Sequence, residues 1–346
     1  INISLKKSTI KDISGSAYIT MGTQNTSDTS KTSAQDFNQG FSVNGTIHKI
    51  SYMTSLNSSE TKGMSEAAGE NFEEDMFSRV NVLQKIGFKP NDQLSFEFFG
   101  SYDRIKNTFD NSFDGIIANA DDLNNTSLSE QFRIGFLPKY NYNKGEFAIN
   151  AGASTINRKL NITNNWTNSI DAYNYTGRTI SADAFNKYLF NNQLFIVVGM
   201  QYQYFDMTQK DAYTDVVREG AKFNLIDPYA TLVYNSDFGF NLNVGSRFNT
   251  HSEYGNQIVY NINPSFSFDN FPFKVMASYS TAFITPSLYQ LYGPYGNLDL
   301  TPEENATAEF GFETQLLDKK LTINAVGFYR EEENTFGFYY NSATFE

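Results

Sequence analysis

The sequence lacks cysteine altogether, has only 8 prolines in 346 residues, and is poor in charge, with 18% Asp, Glu, Lys and Arg. Without cysteine, disulfide bonds, thiolate metal sites and cysteine nucleophiles are excluded. The scarcity of proline favours long β-strands, because proline cannot donate a hydrogen bond to a ladder.

Basic residues and long apolar runs are also scarce. The chain carries 26 Lys and Arg against 38 Asp and Glu, a net charge of −12, and without a basic stripe we expect no nucleic-acid partner. The longest apolar run, LFIVVGM at 194–200, is far below the roughly 18 residues of a transmembrane helix. The first residues, INISLKKS, lack the features of a secretory signal. We therefore expect either a protein that is not exported or one whose N-terminus lies upstream.

Aromatic residues are abundant, and many segments alternate between apolar and polar side chains. The 32 Phe, 22 Tyr and 1 Trp make up 16% of the chain, which excludes disorder. From Leu94, the residues Leu94, Phe96 and Phe98 share one face of a strand, and Ser95 and Glu97 share the other. Strict alternation predicts β-strands. The same pattern recurs at 147–154, 238–247, 258–268 and 321–325.

This repetition predicts an all-β fold, a transmembrane antiparallel up-and-down β-barrel. Strands with a consistently polar second face need water on that face, and a closed barrel in lipid provides it while pairing every backbone group. Phe and Tyr near strand ends are typical of interfacial girdles. The alternative is a soluble all-β protein such as a lectin sandwich or a propeller, although propeller blades do not alternate short and long connections.

Short and long connections largely alternate along the chain, as in outer-membrane barrels. We predict about sixteen strands. The predicted short links are 89–92, 143–145, 191–193, 236–237, 269–272 and 317–320. The predicted long links are 22–38, 57–74, 107–129, 157–175, 207–220 and 285–303.

One segment resembles a known family. Residues 276–304 read MASYSTAFITPSLYQLYGPYGNLDLTPEE, which resembles a barrel segment of TonB-dependent outer-membrane receptors with the pattern S-Y, F-x-x-P-x-L-x-x-L-Y and G-N-P-x-L-x-P-E. The opening INISLKK is similar to the last strand of the family's plug domain, and FGFYYNSATFE at the end resembles a segment that continues toward the C-terminal strands. Ile284 and Leu298 depart from the pattern, where the family has Arg or Lys and Pro.

The resemblance implies that residues 1–12 are the tail of a plug domain and that 13–346 are a partial barrel, with about 16 of about 22 strands. It also implies uptake of a scarce ligand across the bacterial outer membrane, energised by a TonB-type protein acting through a plug, with outer-membrane lipid around the wall. A corrinoid such as cobalamin is slightly favoured over a ferric siderophore, because SLYQLYGPYGNLDLTPEE is most similar to the cobalamin-receptor form of the motif. The alternative is a passive channel or a surface adhesion barrel.

The same segment contains the predicted ligand-binding residues. The sequence GPYG at 293–296 indicates a tight turn on an outer loop, and loop aromatics and amides suit large amphipathic ligands. The alternative is that the tyrosines pack the loop or join the girdle. The predicted ligand-binding residues are Tyr289, Tyr292, Tyr295 and Asn297.

Acidic loops and two histidines are the remaining candidates. Asp110 and Asp114 lie in an acidic loop, and carboxylate oxygens suit calcium. The alternative is a solvated acidic surface. His48 and His251 lack metal-ligand spacing and are interpreted as strand or loop residues. The absence of histidine from 287–296 disfavours haem. No catalytic motif is present, so we expect no enzyme.

Overall fold

Nearly all regular structure in this protein is β-strand. The computed structural model describes residues 12–24, 34–63, 74–110, 124–164, 167, 169–269, 271–318 and 320–337. The predicted plug-domain tail lies almost wholly outside these described residues. In the described part of the chain, no helix has the length and apolar character needed to cross a membrane.

The described residues form sixteen strands and one short helix. Their bounds are β1 Ser14–Gly22, β2 Asp36–Ile47, β3 Ile50–Thr61, β4 Phe77–Phe88, β5 Leu94–Thr108, β6 Thr126–Tyr142, β7 Gly145–Asn164, β8 Ser169–Leu189, β9 Leu194–Lys210, β10 Asp215–Val216, β11 Lys222–Asn235, β12 Phe240–His251, β13 Gly255–Ser267, β14 Phe273–Ile284, α1 Leu288–Tyr292, β15 Glu303–Leu316 and β16 Leu321–Glu333.

The strands form one sheet whose order follows the sequence from β1 to β16, except that the two-residue β10 pairs only with β9. This meander confirms the predicted all-β, up-and-down antiparallel fold. The chain also divides into two compact units. The first unit comprises 1–140, 149–182 and 205–222, and the second comprises 141–148, 183–204 and 223–346.

In the first unit, the register separates an apolar face from a polar face. Phe98 is paired with Ile86 on one side and with Phe136 on the other, and its ring is 51% exposed. Ser101 and Asp103, at odd positions of the same strand, are buried. The predicted alternation of β5 is confirmed, because side chains two residues apart share a face.

Aromatic rings line the apolar face next to the turn between β4 and β5. Phe96 stacks on Phe88 at 6.3 Å and on Phe136 at 6.2 Å, and Phe136 also stacks on Phe98 at 4.4 Å. Such cross-strand aromatic pairs stabilise a sheet. A ring row at strand ends is the pattern of an interfacial girdle.

The polar face of the first unit carries ion pairs between neighbouring strands. Lys85 lies 2.9 Å from Glu97, and Arg79 lies 2.5 Å from Asp103. Lys85 and Asp103 are buried, and a charged side chain in such a position needs its partner.

In the second unit, β11 and β12 show the same two faces. Ile226 on β11 and Phe248 on β12 are exposed, whereas Asp227, Asn249 and His251 are buried. The register pairs Ile226 with Thr250 and places the buried positions of both strands on one face. Polar residues therefore lie together on the face opposite the apolar one.

All six predicted short connections lie between consecutive strands, and Gly145 is already the first residue of β7. A further two-residue turn, His48–Lys49, joins β2 to β3, and His48 has a positive φ of 56°. The predicted long link 285–303 is confirmed between β14 and β15.

The predicted long links 22–38, 57–74 and 107–129 overlap strands at their ends and lie partly outside the described residues, and two others are wrong in larger part. β7 runs to Asn164 and β8 begins at Ser169, so most of 157–175 is a β-hairpin. β9 extends to Lys210 and is followed by β10, so 207–220 is also partly strand. The segment MTQK at 207–210 lacks alternation, whereas Leu160 and Ile162 of β7 do alternate with Asn161 and Thr163, a strand signal that the prediction of a long loop overlooks.

Candidate functional site

The loop from 285 to 302, which we call the α1 loop, is built on a five-residue helix. Its N-cap Ser287 accepts a hydrogen bond from the Gln290 backbone N–H at 3.2 Å, and the Gln290 side chain accepts one from the Ser287 N–H at 2.8 Å. This capping box satisfies two amides that the helix leaves unpaired. Leu288 and Leu291 are buried, so the helix is anchored through one face.

The predicted ligand-binding tyrosines lie on this helix and on the turn after it. Tyr289 and Tyr292 belong to α1, and Tyr295 lies in the turn. Tyr295 is 87% exposed and Tyr289 is 46% exposed, whereas Tyr292 is half-buried. The loop thus presents aromatic surface to solvent, as the sequence predicts.

The turn after α1 depends on close backbone contacts. The Gly296 N–H donates to the Gly293 carbonyl at 2.8 Å, and the Asn297 N–H donates to the Gln290 carbonyl at 2.9 Å. A Cβ atom on Gly296 would lie 2.5 Å from the Leu291 carbonyl oxygen. Glycine is therefore needed at 296 because any other residue would displace the backbone.

Asn297 has a local structural role. Its side-chain oxygen accepts a hydrogen bond from the Asp299 backbone N–H at 2.8 Å, an Asx-type turn. The residue is exposed, so its amide group faces the same solvent as the tyrosines. The four predicted residues are brought together on one loop.

The turn after β12 is closed by the side chain of the last residue of that strand. His251 is 3% exposed, and its Nδ1 atom accepts hydrogen bonds from the backbone N–H groups of Glu253 at 3.0 Å and Tyr254 at 3.3 Å. Burial and the nearby groups Tyr292 and Glu253 raise the pKa of Tyr254. The His251 side chain therefore holds the backbone of this turn.

A polar network in the second unit joins four strands. The Tyr229 hydroxyl donates to Asp183 at 2.9 Å. Arg247 donates to Gln201 at 2.6 Å and to Asp227 at 3.5 Å. The Asn249 amide, oriented to satisfy its partners, donates to both oxygens of Asp227 at 3.2 Å. The network fixes the polar face of β8, β9, β11 and β12.

A second cluster lies in the first unit. Asp206 is 2% exposed and accepts hydrogen bonds from Arg178 Nη2 at 2.6 Å and from Arg218 Nε at 3.1 Å. Two cations thus compensate one buried carboxylate. Arg218 follows β10, so the cluster ties this segment to β8 and β9.

Asp211 orders the tip between β9 and β10. Its carboxylate accepts hydrogen bonds from the Gln209 side chain and from the N–H groups of Tyr213 and Thr214, at 2.7 to 2.8 Å. Burial opposes ionisation, but these hydrogen bonds prevail and lower the pKa of Asp211. The charged form of Asp211 therefore holds this tip.

The predicted calcium residues are only partly within the described structure. Asp110, the second residue after β5, is buried, and Asp114 lies outside the described residues. Within the described ranges, no three His, Cys, Asp or Glu side chains are grouped to hold a metal ion.

Local sequence patterns do not reveal the polar networks or the role of His251. The Arg178–Asp206 and Arg247–Gln201 contacts join residues 28 and 46 positions apart, so no local motif identifies them. The capping box had a signal, because S-x-x-Q at 287–290 is a helix-start pattern.

One protein-family model matches most of this chain. The family model described as TonB dependent receptor-like, beta-barrel, matches residues 22–346. The vitamin B12 transporter BtuB of Vibrio cholerae serotype O1 is 44% identical over 72 residues, which are 20% of this chain and 12% of that protein.

Solved structures share the fold at low sequence identity. A mutant of the ferric enterobactin receptor PfeA of Pseudomonas aeruginosa matches with a TM-score of 0.75 and 14% identity, over 95% of this chain and 54% of the receptor. The siderophore receptor PirA of Acinetobacter baumannii matches with a TM-score of 0.72 and 14% identity, over 95% and 54%. The chain thus spans about half the length of these receptors. All three relatives are receptors or transporters, not enzymes.

Proposed function

Since the chain belongs to the TonB dependent receptor-like, β-barrel family, we propose that the whole protein takes up a scarce ligand across the bacterial outer membrane. The match over residues 22–346 is the observation that carries this proposal. A TonB-type protein supplies the energy through a plug domain, and outer-membrane lipid surrounds the apolar face of the wall.

The ligand binds at the α1 loop in this proposal, through Tyr289, Tyr292, Tyr295 and Asn297. Exposed aromatic rings on an anchored helix suit a large amphipathic molecule, because rings supply contact area at low entropic cost. The capping box and the buried leucines support this role, since they hold the loop in one conformation before the ligand arrives.

A corrinoid is the favoured ligand, and a ferric siderophore is second. The similarity to the Vibrio cholerae vitamin B12 transporter supports the corrinoid. The receptors of known structure are 14% identical and therefore support only the fold.

Calcium bound near Asp110 and Asp114 is a further proposal. It predicts that a chelator weakens ligand binding, and that removing both carboxylates abolishes this effect.

The test is binding of the full-length protein to cobalamin and to a ferric siderophore, side by side. Alanine at Tyr289, Tyr292, Tyr295 or Asn297 is expected to weaken binding by about 1 kcal/mol or more, roughly fivefold. Tyr213→Ala is the matched control, because Tyr213 is also an exposed loop tyrosine, at 73%, but lies outside the α1 loop. Binding of neither ligand, with free diffusion of small solutes through the reconstituted protein, would establish a passive channel instead.

A further inference from the structure

Two cations lie on the apolar face of β5, at the end where the exposed rings stop. Phe98 on this face is 51% exposed, and Phe132, the register partner of Tyr102, is 54% exposed. Arg104 and Lys106 follow Tyr102 on the same face, because side chains two residues apart share a face. Both are exposed and lie toward the long connection to β6. The apolar face of β5 therefore ends in positive charge.

Lys159 of β7 adds a third cation to this face. The Asn161 side-chain amide donates to the Thr126 hydroxyl at 3.1 Å, so these two side chains share a face. Lys159 lies two residues before Asn161, and so on the same face. Leu128, two residues after Thr126, is the register partner of Lys106. Lys159 and Lys106 therefore share a face with one strand between them, about 10 Å apart.

The carboxylates on this face leave both lysines without an ion pair. Glu130, the register partner of Arg104, lies 4.0 Å from that arginine. Glu60 lies two strands away from Lys106. Within the described ranges, neither Lys106 nor Lys159 forms an ion pair, and both are exposed. Their charges are therefore available to a partner from outside the chain.

We propose that Arg104, Lys106 and Lys159, which we call the cationic rim, bind the phosphorylated headgroup of a lipid in the outer leaflet, an inference that goes beyond the uptake of a ligand. Such a lipid contacts both parts of this face, because its acyl chains cover the exposed rings while its phosphates reach the cations. A free anion would contact the cations alone.

The chemistry of the cationic rim supports a lipid headgroup. Lys and Arg side chains lie with their stems along apolar surface and carry their charges to the headgroup level, where basic residues attract anionic lipids. The chain as a whole has a net charge of −12 and repels anions elsewhere. Because long connections face the cell exterior in barrels of this class, the lipid belongs to the outer leaflet.

The experiment measures which lipid collects beside the cationic rim. A donor fluorophore is attached to S78C, because Ser78 is the register partner of Lys106 and this chain has no cysteine of its own. The full-length protein is reconstituted in phosphatidylcholine vesicles with a small fraction of acceptor-labelled lipid, either diphosphoryl lipid A or its phosphate-free form. Energy transfer to diphosphoryl lipid A is expected to be the greater, and high salt is expected to reduce the difference.

Variants of the two unpaired lysines locate the site. K106Q and K159Q are each expected to weaken the association with diphosphoryl lipid A roughly fivefold, as for one basic residue at a membrane surface. R133Q is the matched control. Arg133 is also exposed, but it pairs with the buried Ser101 and therefore lies on the opposite face of the sheet. R133Q is expected to leave the association unchanged.

Equal transfer to the two lipids, or an equal loss in R133Q and K106Q, would overturn the inference. Competition with millimolar inorganic phosphate tests whether the acyl chains matter. It is expected to displace little of the lipid, and full displacement would show a site for free anions instead of a lipid. Because no uptake ligand is present, these outcomes are independent of the proposed binding at the α1 loop.

Discussion

Arg247 lies over the ring of Tyr229, with its Cζ atom 4.9 Å from the ring centroid. The two residues are register partners on β12 and β11. The ring face attracts the cation, while the guanidinium also donates to Asp227. One side chain thus stabilises an aromatic ring and a buried carboxylate on the polar face of the wall.

Replacing Arg247 with Met is expected to lower the free energy of unfolding by about 2 kcal/mol. Asp227 would then be a buried charge without its cation. Breaking a fully buried ion pair costs about 3 to 5 kcal/mol, and we expect a smaller cost here because Arg247 is partly exposed. Urea unfolding of the full-length protein in lipid vesicles measures this. Lys89→Gln, which removes an exposed pair with Asp92, is expected to cost far less, because solvent screens an exposed pair. Equal losses in both variants would contradict the role of burial.

Gly296→Ala is expected to disorder the α1 loop and weaken ligand binding at least fivefold, about 1 kcal/mol. The new Cβ atom would lie 2.5 Å from the Leu291 carbonyl oxygen, which belongs to the backbone and cannot rotate away. Gly220→Ala is the control, since its Cβ would meet only the Val217 carbonyl oxygen at 3.7 Å. Limited proteolysis and ligand binding report both effects, and unchanged cleavage in Gly296→Ala would contradict the close contact.

The strands and turns were predictable from sequence because alternation is a local signal. β5 and β6 alternate wherever one face is apolar, and the turns are marked by Asn, Asp, Gly and Pro. The outer part of the β7–β8 hairpin was missed although Leu160 and Ile162 alternate with Asn161 and Thr163, because so short a run between Asn-rich segments is also typical of a loop. Helix α1 was missed because five residues are too few to show a helical period.

The candidate site was predictable only where it is continuous in sequence. Tyr289, Tyr292 and Tyr295 lie within seven residues, so the motif identified them together. Arg178 and Asp206 meet through strand pairing, which no single sequence specifies. His251 resembles any strand residue until the positions of the Glu253 and Tyr254 amides are known.

Arginine on the apolar face is expected to cost more at Ile134 than at Phe96. Phe96 belongs to the aromatic row beside the turn, whereas Ile134 pairs with Gly100, four residues further along β5. At about 3.4 Å per residue and a strand tilt of about 40°, Ile134 lies roughly 10 Å deeper in the membrane than Phe96. This depth is near the middle of an apolar band about 25 Å tall. Ile134→Arg should cost about 2 to 4 kcal/mol and Phe96→Arg about 0 to 1. Unfolding in lipid vesicles measures both costs, and the reverse order would contradict this depth assignment.

The tip at 211–214 is expected to stay ordered from pH 8 to pH 4.5. The pKa of Asp211 is lower in the folded protein than its ordinary value, so its stabilisation is complete above about pH 4 and is lost only as the pH falls through the lower folded value. A spin label on Y213C measures the order. Asp211→Ala should make the label mobile throughout this range, and Asp92→Ala, at a turn elsewhere, should not. Mobility that rises between pH 8 and 6 would contradict this account.

The α1 loop is expected to face the cell exterior, with the short turns on the periplasmic side. Barrels of this class place long connections outside and short ones on the periplasmic side. The α1 loop is a long connection, and the 89–93 turn is a short one. A cysteine at Tyr295, which is 87% exposed, should react with a membrane-impermeant maleimide on intact cells. A cysteine at Asp92, whose side chain is 99% exposed, should react only after the outer membrane is permeabilised. Both positions are accessible in the folded protein. Labelling at position 92 and not at position 295 on intact cells would therefore show the opposite orientation. The α1 loop would then face the periplasm and could not meet a ligand arriving from outside.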